Sequence, residues 1–500
     1  METDWLEGRA RITPYRVAVK DSDTKDCWTF KQLNHRATSL ANYLIGEGIK
    51  QGDRIALITP NHISYFDFLF ACSKIGAIFV PINWRLSHHE IIQIINDCNP
   101  KFIALTKDKE DAIENTFIKC ICVDSQEYEQ LFRGMIVQRS FETIREEDPI
   151  AILYTSGSTG KPKGVLITHR TLLSNAYNTI LSWNIKETDT TLTCTPMFHT
   201  AGIFALTIPI LLAGGKVVIL RKYENDRAIR IIKEEKCTLI FMVPTMYHGM
   251  VQSNLFSTSS FPTMDVFISG GSPCPRSIYK AFEKKGLRFR EAYGMTEAGP
   301  NNFYIDPEVA SKKVGSVGKP ILFTDICVMT EQGKEAEPDE IGEIVISGNH
   351  VFSCYWNNSE ETDNVLKGNQ YFTGDLGKRD KEGYFYIVGR KKELIISGGE
   401  NIYPLEIEHV INEHIAINES AVIGLPDEKW GEVVVAIISL KPAFSIEEEE
   451  LKGYCRQKLA GYKIPRRIFF VDTLPKNASG KIDKKRMADL CRNLASLHVS

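Results

Sequence analysis

Residues 154–164, YTSGSTGKPKG, directly follow an apolar stretch, Ala151–Leu153, that reads as a buried strand. The three glycines of this segment allow tight turns that aim backbone N–H groups inward, while its hydroxyls and two lysines add donors and positive charge. These features predict a loop that binds phosphate. The loop is not of the Walker type, because Pro162 stands where GxxxxGK[ST] requires a second glycine. A surface turn is the alternative for a generic Gly/Ser/Lys cluster, but eleven specified residues disfavour it.

Outward from this loop, the composition is typical of a large globular protein. The chain has 500 residues, of which 43% are hydrophobic and 25% are charged. These values exclude a small binding module, a disordered chain and a coiled coil, and the length predicts about three structural units. The net charge of −3 creates no general attraction for nucleic acid or an anionic membrane surface. Any anion must therefore bind at a local site.

The same sequence indicates a cytoplasmic protein. Its twelve cysteines form no CxxC pair, so neither a disulfide framework nor a structural zinc site is expected. Met1–Trp5 lacks the basic region and the apolar core of a secretion signal. The longest apolar stretch, Ala201–Gly215, is interrupted by Thr207 and Pro209 and is shorter than the roughly 20 residues that span a bilayer. We therefore expect no integral membrane segment.

Helical and strand patterns alternate over the first three hundred residues. Phe30–Ile45 has apolar residues at helical spacing, and Arg54–Thr59 (RIALIT) is typical of a buried strand. The segments that continue this alternation are Tyr65–Ile75, Ala77–Pro81, Lys101–Thr106, Phe204–Leu212, Lys216–Leu220, Arg227–Lys233 and Leu239–Val243. The alternation predicts an α/β fold in which helices cover mostly parallel sheets.

The pattern changes after about Gly315, where short strands such as Glu343–Ser347 and Tyr384–Val388 are separated by glycines and charged residues. We interpret this region as a small β-subdomain. The basic stretch that follows suggests a boundary between a large domain, 1–390, and a small α+β domain, 391–500. The elements predicted in the small domain are helices at Leu405–Glu413 and Ile446–Ala460 and strands at Ala421–Leu425 and Val433–Leu440.

Together these motifs resemble the adenylate-forming, or AMP-binding, superfamily, which includes acyl- and aryl-CoA ligases, amino-acid adenylation domains and luciferases. The glycine-rich stretch is similar to the phosphate-binding signature of that family. Five further motifs match in the family's order, at Pro196–His199 (PMFH), Tyr293–Glu297 (YGMTE), Thr373–Asp375 (TGD), Gly389–Glu393 (GRKKE) and Lys476–Lys481 (KNASGK). A single motif would be weak support, whereas six in order are highly specific.

The resemblance implies a reaction in two halves. A carboxylate attacks the α-phosphate of ATP to give an acyl-adenylate and pyrophosphate, and a thiol then displaces AMP. ATP, Mg²⁺ and coenzyme A are therefore expected, together with a small carboxylic acid. In such enzymes the small domain is a mobile cap that rotates between the two half-reactions. A homodimer is left open.

The resemblance also assigns roles to individual residues of the ATP site. The phosphates are expected at Thr155, Ser156, Gly157, Ser158, Thr159, Gly160, Lys161 and Lys163. Glu297, with Thr159, is expected at the magnesium ion, in the same motif as Tyr293, Gly294 and Thr296. Adenine is expected along Gly270 and Gly271, and the ribose at Asp375 and Arg390. Taken singly, Glu297 could be an ordinary solvated charge. Asp375 could be a carboxylate that stabilises a turn.

Further assignments concern catalysis and the second half-reaction. Lys481 matches the lysine that contacts the substrate carboxylate and the α-phosphate, and His199 matches a residue that closes over the acid. Lys392 matches the hinge of the cap, and Gly398 and Gly399 match a loop that packs against the pantetheine arm of CoA. A solvated lysine and a structural histidine are the alternatives for Lys481 and His199.

The sequence says less about the acid. No aspartate follows Phe198-His199 to pair with an ammonium group, which disfavours an α-amino acid, and Ile203, Phe204, Met242 and Val243 are candidates for an apolar pocket. We favour a medium- or long-chain fatty acid, with an aryl acid of the benzoate, cinnamate or succinylbenzoate type as the alternative.

The thiol acceptor and the enzyme class also have alternatives. Only 19 residues follow Lys481, so no fused carrier domain is expected. Free CoA is therefore favoured over a separate carrier protein. A kinase or ATPase that releases ADP, and a catalytically silent adenylate-binding protein, are the alternatives from other classes.

Overall fold

The computed structural model describes residues 2–113, 118–134, 143–156, 162–476 and 482–497. Helices and strands alternate in the first of these ranges, as their patterns predicted. Up to residue 134 the elements are α1 (Trp5–Ile12), β1 (Val17–Asp21), β2 (Cys27–Thr29), α2 (Phe30–Gly46), β3 (Arg54–Ile58), α3 (Ser64–Ile75), β4 (Ile78–Pro81), α4 (His88–Cys98), β5 (Phe102–Leu105), a 3-10 helix (Lys107–Ile113), β6 (Lys119–Cys122) and α5 (Gln126–Gln130).

The alternation continues through the following 150 residues, which also contain a π-helical turn. The elements are β7 (Pro149–Ser156), β8 (Pro162–Thr168), α6 (His169–Trp183), β9 (Thr190–Thr193), the π-helical turn (Ala201–Ala205), α7 (Thr207–Ala213), β10 (Lys216–Ile219), α8 (Asn225–Glu234), β11 (Leu239–Met242), α9 (Pro244–Gln252), α10 (Asn254–Thr258), β12 (Val266–Gly270), α11 (Arg276–Lys284) and β13 (Phe289–Ala292).

Short strands then dominate up to residue 390. They are β14 (Phe303–Tyr304), β15 (Ser316–Pro320), β16 (Asp325–Met329), β17 (Gly342–Ser347), β18 (Cys354–Tyr355), β19 (Leu366–Lys367), β20 (Gln370–Arg379) and β21 (Phe385–Arg390), with the helices α12 (Pro307–Ala310) and α13 (Ser359–Val365). The remaining elements are 3-10 turns (Lys391–Glu393 and Gly461–Lys463), β22 (Ile395–Ser397), β23 (Glu400–Ile402), α14 (Pro404–Asn412), β24 (Ile417–Asp427), β25 (Gly431–Leu440), α15 (Glu448–Arg456), β26 (Arg467–Phe470) and α16 (Lys484–Leu497).

The strands form two mainly parallel sheets, one antiparallel sheet and one mixed sheet. The first parallel sheet has the order β13-β12-β11-β9-β10-β1-β2, and the second has the order β18-β8-β7-β4-β3-β5-β6. The antiparallel sheet has the order β14-β15-β21-β20-β17-β16, and the last sheet consists of β22 to β26. One hydrophobic core includes residues of both parallel sheets and of the helices α2, α3, α6 and α7. The predicted fold class, α/β with a small β-subdomain and an α+β carboxy-terminal region, is confirmed.

Two predicted elements near the carboxy terminus have different bounds in the structure. The strand predicted at Ala421–Leu425 extends over Ile417–Asp427, because it pairs with β25 along its whole length. The helix predicted over Ile446–Ala460 is shorter, Glu448–Arg456, because Glu447 has an extended backbone with ψ of 152°. In both cases long-range pairing or local backbone geometry overrides the apolar pattern.

The described residues include no helix that is both long enough and apolar enough to span a lipid bilayer.

Candidate active site

The candidate site begins where β12 and β13 end side by side. The two strands are parallel, and Gly270 lies opposite Ala292, so the segment predicted to contact adenine lies next to Tyr293. A Cβ atom on Gly270 would lie 2.7 Å from the Phe241 ring, and Gly271 has a φ of +87°. Both positions therefore favour glycine, one by close packing and the other by its backbone conformation. The carboxyl ends of parallel strands are where α/β sheets bind ligands.

The loop after β13 folds back on itself and carries the predicted metal carboxylate. The Met295 N–H donates to the Gly299 carbonyl (3.0 Å), and the Asn302 N–H donates to the Tyr293 carbonyl (3.0 Å). A Cβ atom on Gly294 would lie 2.1 Å from the Pro300 carbonyl oxygen, so this close return of the backbone requires glycine. Thr296 and Glu297 lie at the tip of the loop.

Glu297 is connected to the predicted phosphate lysine through Tyr355. The Tyr355 hydroxyl donates to Glu297 Oε1 (2.9 Å), and the Lys163 ammonium lies 5.6 Å from the centre of the Tyr355 ring. Lys163 also forms an ion pair with Glu361, at the beginning of α13. Burial raises the pKa of the Glu297 carboxyl. No local motif marks Tyr355 or Glu361, because their partners Glu297 and Lys163 lie 58 and 198 residues away in the chain.

Asp375 and Arg390, both predicted at the ribose, lie directly opposite each other on β20 and β21. Arg390 Nε forms an ion pair with Asp375 Oδ1 (2.9 Å), and the Tyr293 hydroxyl donates to Oδ2 (2.7 Å). Asp375 is only 5% exposed. Its negative charge raises the pKa of Arg390, while burial and this charge raise the pKa of Tyr293. The structure thus joins Tyr293, Asp375 and Arg390 in one cluster.

The predicted hinge residue lies beside this cluster. Lys392 is exposed in the 3-10 turn that follows β21. Its neighbour Lys391 forms an ion pair with Glu343 (3.1 Å), which also accepts a hydrogen bond from the Gly374 N–H (3.0 Å). Partial desolvation and the positive charges of Arg390 and Lys163 lower the pKa of Lys392. Lys163 and Arg390 are therefore close enough for both to act on Lys392.

Other predicted residues flank the site. Thr155 and Ser156 end β7, opposite Lys163 and Pro162 of β8, and the Thr155 hydroxyl donates to the Lys163 carbonyl (3.4 Å). The hairpin β7-β8 therefore holds both ends of the predicted phosphate loop. The loop residues Gly157, Ser158, Thr159, Gly160 and Lys161, and the predicted catalytic residue Lys481, lie outside the described residues.

The two glycines predicted at CoA are not joined to these clusters. Gly398 and Gly399 form the turn between β22 and β23, with φ values of +60° and +86°. The Gly398 N–H donates to the Trp430 carbonyl (2.8 Å), and a Cβ on Gly398 would lie 2.8 Å from the Trp430 ring. Across the described part of the chain, neither glycine has a hydrogen bond to Glu297 or Asp375. Such a turn, with positive φ at both central residues, favours glycine.

His199 lies at the start of the π-helical turn. Its ring packs on Phe198 with 4.5 Å between ring centres, and its carbonyl accepts hydrogen bonds from the N–H groups of Gly202 and Ile203. Phe204 and Ile203 belong to the main core, as does Phe241 of β11. Met242, suggested by the sequence, faces the opposite side of β11 and packs in a separate core. Because successive side chains on a strand point to opposite faces, Phe241, not Met242, is the residue of β11 that shares a core with Ile203 and Phe204.

A buried glutamate that the sequence did not reveal holds the chain just after the predicted adenine segment. Glu291 of β13 accepts hydrogen bonds from the Tyr279 hydroxyl (2.6 Å) and from the Cys274 N–H (3.1 Å). Burial raises the pKa of Glu291 to about 7, from an ordinary value of 4.5. In the sequence it is one glutamate among many, because its partners approach only in the folded chain.

This pKa predicts a pH-dependent stability. Between pH 4.5 and 7, Glu291 is ionised in the unfolded chain but protonated in the folded one, so its own contribution to the free energy of unfolding falls as the pH rises. Across this range, the unfolding free energy of wild type should fall by about 3 kcal/mol relative to that of Glu291→Gln, in which the other titrating groups are unchanged. The measurement is urea unfolding of both proteins at several pH values, with the exposed Glu283→Gln as control. If the difference in unfolding free energy between wild type and Glu291→Gln did not change with pH, the prediction would be contradicted.

Comparison with known proteins supports the motif-based assignment. Residues 6–356 match the family model "AMP-binding enzyme", and residues 406–481 match "AMP-binding enzyme C-terminal domain". The chain is 34% identical to a feruloyl-CoA synthase of Amycolatopsis, over 96% of this chain and 97% of that protein. It is 35% identical to a long-chain-fatty-acid–CoA ligase of Mycobacterium tuberculosis, over 96% of each chain.

A solved structure agrees with these relatives. The o-succinylbenzoate CoA synthetase of Bacillus subtilis, in complex with its acyl-adenylate intermediate, superimposes with a TM-score of 0.88 at 31% identity and covers 97% of each chain. Both family models and the full-length similarity point to one family. The chain therefore belongs to the AMP-binding, adenylate-forming enzymes, in the branch of the acyl- and aryl-CoA ligases.

Proposed function

We propose that this AMP-forming acid–CoA ligase acts on an aromatic carboxylic acid. The observation that carries the proposed ATP site is a pair of charged clusters, each of which includes a residue of the loop that follows β13. One consists of Tyr293, Asp375 and Arg390, and the other joins Lys163 to Glu297 through Tyr355. The first suits a ribose and the second suits a triphosphate with its metal. Separate sites for the ribose and for the triphosphate are what the adenylation half-reaction requires.

In this proposal, Asp375 holds the ribose. An ionised carboxylate is a strong acceptor for two neighbouring hydroxyl groups. Arg390 and Tyr293 hold the Asp375 carboxylate in one orientation, so little reorganisation is needed when the nucleotide binds. The backbone of Gly270 and Gly271, at the carboxyl end of β12, then lies along the adenine.

Glu297 is the proposed protein ligand of Mg²⁺, with Thr159 beside it. Magnesium is commonly held by one or two carboxylates together with the oxygens of a bound triphosphate, so a dedicated cage is not required. Accordingly, the described residues contain no group of three or more His, Cys, Asp or Glu side chains that could hold a metal. The Tyr355 hydroxyl orients the Glu297 carboxylate. When bound, the ion neutralises negative charge on the phosphates.

Positive side chains complete the adenylation site. Lys163, Lys161 and the N–H groups of residues 155–160 would bind the β- and γ-phosphates, and Lys481 would contact the oxygens of the acid and the α-phosphate where charge develops. Glu361 would have to share Lys163 with the incoming phosphates. His199 would close the acid pocket, whose wall includes the π-helical turn.

The second half-reaction requires another arrangement of the carboxy-terminal domain. We propose that residues 391–500 form a mobile cap that turns about Lys392 and brings Gly398 and Gly399 to the pantetheine arm of CoA. A small acid, ATP and CoA are then the partners, in the cytoplasm. Nucleic acid is not expected as a partner, and the oligomeric state is left open.

Two observations favour an aromatic acid over the fatty acid that the sequence suggested. Phe198, Phe204 and Phe241 belong to the same buried core as Ile203 of the π-helical turn, and flat aromatic rings pack well against a flat substrate. In addition, the feruloyl and succinylbenzoate enzymes named above act on aromatic acids. Because one of the relatives is a long-chain-fatty-acid–CoA ligase, a fatty acid is the competing hypothesis for the substrate.

The test is release of pyrophosphate and AMP from ATP with a panel of acids. The panel contains benzoate, cinnamate and a hydroxycinnamate, octanoate and palmitate, and phenylalanine as an amino acid, each with and without CoA. We expect a hydroxycinnamate or another aryl acid to give a kcat/KM at least about 10-fold above the fatty acids. With CoA present, thioester and AMP should form in equal amounts.

The controls separate the alternatives. Production of ADP and phosphate would contradict the ligase class, whereas a clear preference for octanoate or palmitate would restore the fatty-acid hypothesis. Pyrophosphate release with every acid but no thioester from CoA would point to a separate carrier protein as the acceptor.

A further inference from the structure

The π-helical turn, Ala201–Ala205, lies between His199 and the helix α7. A π-helical turn contains one more residue than an α-helical turn, and it is stable only when other groups satisfy its displaced carbonyls. Side chains from elsewhere do this at two positions. The Thr207 hydroxyl donates to the Gly202 carbonyl (2.7 Å) and contacts the Thr193 hydroxyl (2.7 Å) of β9. Asn301 donates to the Ala205 carbonyl (2.8 Å).

Asn301 belongs to the loop that carries Glu297. It is fully buried, and its side-chain NH₂ group donates both to Ala205 and to the Thr179 hydroxyl (3.1 Å) of α6. Both N–H bonds of the amide are thus used. The Asn301 backbone carbonyl in turn accepts a hydrogen bond from the side-chain amide of Asn175 (2.8 Å), also on α6. The helix α6 therefore supports the loop, and Asn301 joins the loop to the π-helical turn.

A second contact holds the same loop against α6. Gly299 has a φ of +71°, and a Cβ atom on it would lie 2.5 Å from the amide nitrogen of Asn175. The loop therefore rests directly on Asn175. Asn301 is thus fixed on α6 and in turn fixes the end of the π-helical turn at Ala205.

We infer that Asn301 and Thr207 are positioning residues that set the shape of the acid pocket by holding the π-helical turn in place. This inference rests on the proposed function. Since the turn carries Ile203 and Phe204, its position determines the space available to the acid, whereas the ATP contacts at Asp375 and Lys163 lie on other elements. Loss of either hydrogen bond should therefore alter discrimination between acids of different length more than the use of ATP.

The experiment compares Asn301→Leu and Thr207→Val with wild type. Leucine keeps the branched shape of asparagine, and valine keeps the shape of threonine, but neither donates a hydrogen bond. We expect the ratio of kcat/KM for cinnamate to kcat/KM for the shorter benzoate to change by about 10-fold or more in both variants. The KM for ATP should stay within about twofold of wild type, which a general loss of folding would not produce.

Two matched controls test the mechanism. Thr207→Ser keeps the hydroxyl and should retain the wild-type ratio. Asn302→Leu removes an equally buried amide from the neighbouring position, where it contacts His350 (2.9 Å) and the Gly299 carbonyl (3.0 Å) instead of the π-helical turn. It should lower the rate for all acids alike. Hydrogen exchange of residues 201–205 should accelerate in Asn301→Leu and Thr207→Val but not in Asn302→Leu.

The outcomes separate this inference from the proposed function. Wild type that releases no pyrophosphate with any acid would contradict the proposed function, and this inference with it. Active Asn301→Leu and Thr207→Val proteins with an unchanged ratio of acids would overturn this inference alone. If Asn301→Leu does not fold, the pair Thr207→Val and Thr207→Ser decides by the same ratio.

Discussion

Replacement of Asp375 by alanine should lower kcat/KM for ATP by about 100- to 10,000-fold, because hydrogen bonds to a charged group contribute about 1.5–3 kcal/mol each and two ribose hydroxyls would lose theirs. The change also removes the carboxylate that pairs with Arg390 and accepts from Tyr293 in the folded protein. The KM for the acid should change much less, since Asp375 is proposed to bind the ribose and not the acid. The measurement is steady-state pyrophosphate release at varied ATP.

A nucleotide without the hydroxyls tests the assigned contact directly. With 2′,3′-dideoxy-ATP, wild type should become nearly as poor as Asp375→Ala, and the variant should lose little more. Asp380→Asn is the matched control, because this aspartate lies just after β20 and pairs with Lys313 (2.7 Å) away from the cluster. If Asp375→Ala loses the same factor relative to wild type with both nucleotides, Asp375 supports the fold rather than the ribose.

The second large effect is expected for Lys481→Ala. If Lys481 contacts the developing charge as proposed, its loss should slow adenylate formation by about 100- to 1,000-fold. Thioester formation from a supplied acyl-adenylate and CoA should stay within about threefold of wild type, because the proposed cap has turned Lys481 away in that half-reaction. Single-turnover assays of the two half-reactions give both numbers.

Lys476→Ala is the control for this variant. Lys476 lies five residues earlier in the same motif and forms an ion pair with Glu419 (2.8 Å), so its loss removes a positive charge from the same segment. Lys476 and Ile482, which flank residues 477–481, also form an isolated backbone bridge. A change of the Lys476 side chain leaves this backbone pairing intact. Equal slowing of both half-reactions in Lys481→Ala would contradict the assignment of Lys481 to adenylation.

Much of the fold was predictable because its signals are local. Helix α2 and the strand β3 were predicted to within one residue at each end, since apolar periodicity reports which face of an element is buried. Asp375 and Arg390 were both singled out by short motifs, and the structure places them opposite each other on adjacent strands. The sequence did not reveal that they bind each other, because their pairing depends on the register of β20 and β21.

The residues that the sequence missed share one property: their partners are distant in the chain. Tyr355 is 58 residues from Glu297, and Glu361 is 198 residues from Lys163. Asn301 contacts Ala205 across 96 residues. An isolated tyrosine, glutamate or asparagine carries no local pattern, so only the packing of separate sheets and helices reveals such partners.

By itself, the sequence determined the fold class, the family and the short motifs of the ATP site. Burial periodicity and turn-forming glycines act over a few residues, so they can be read directly from the chain. The tertiary structure alone decided the Glu297–Tyr355 hydrogen bond, the buried Glu291 and the attachment of the π-helical turn to Asn301. These contacts form only when strand register and helix packing bring distant segments together, and their energies depend on the burial that this packing creates.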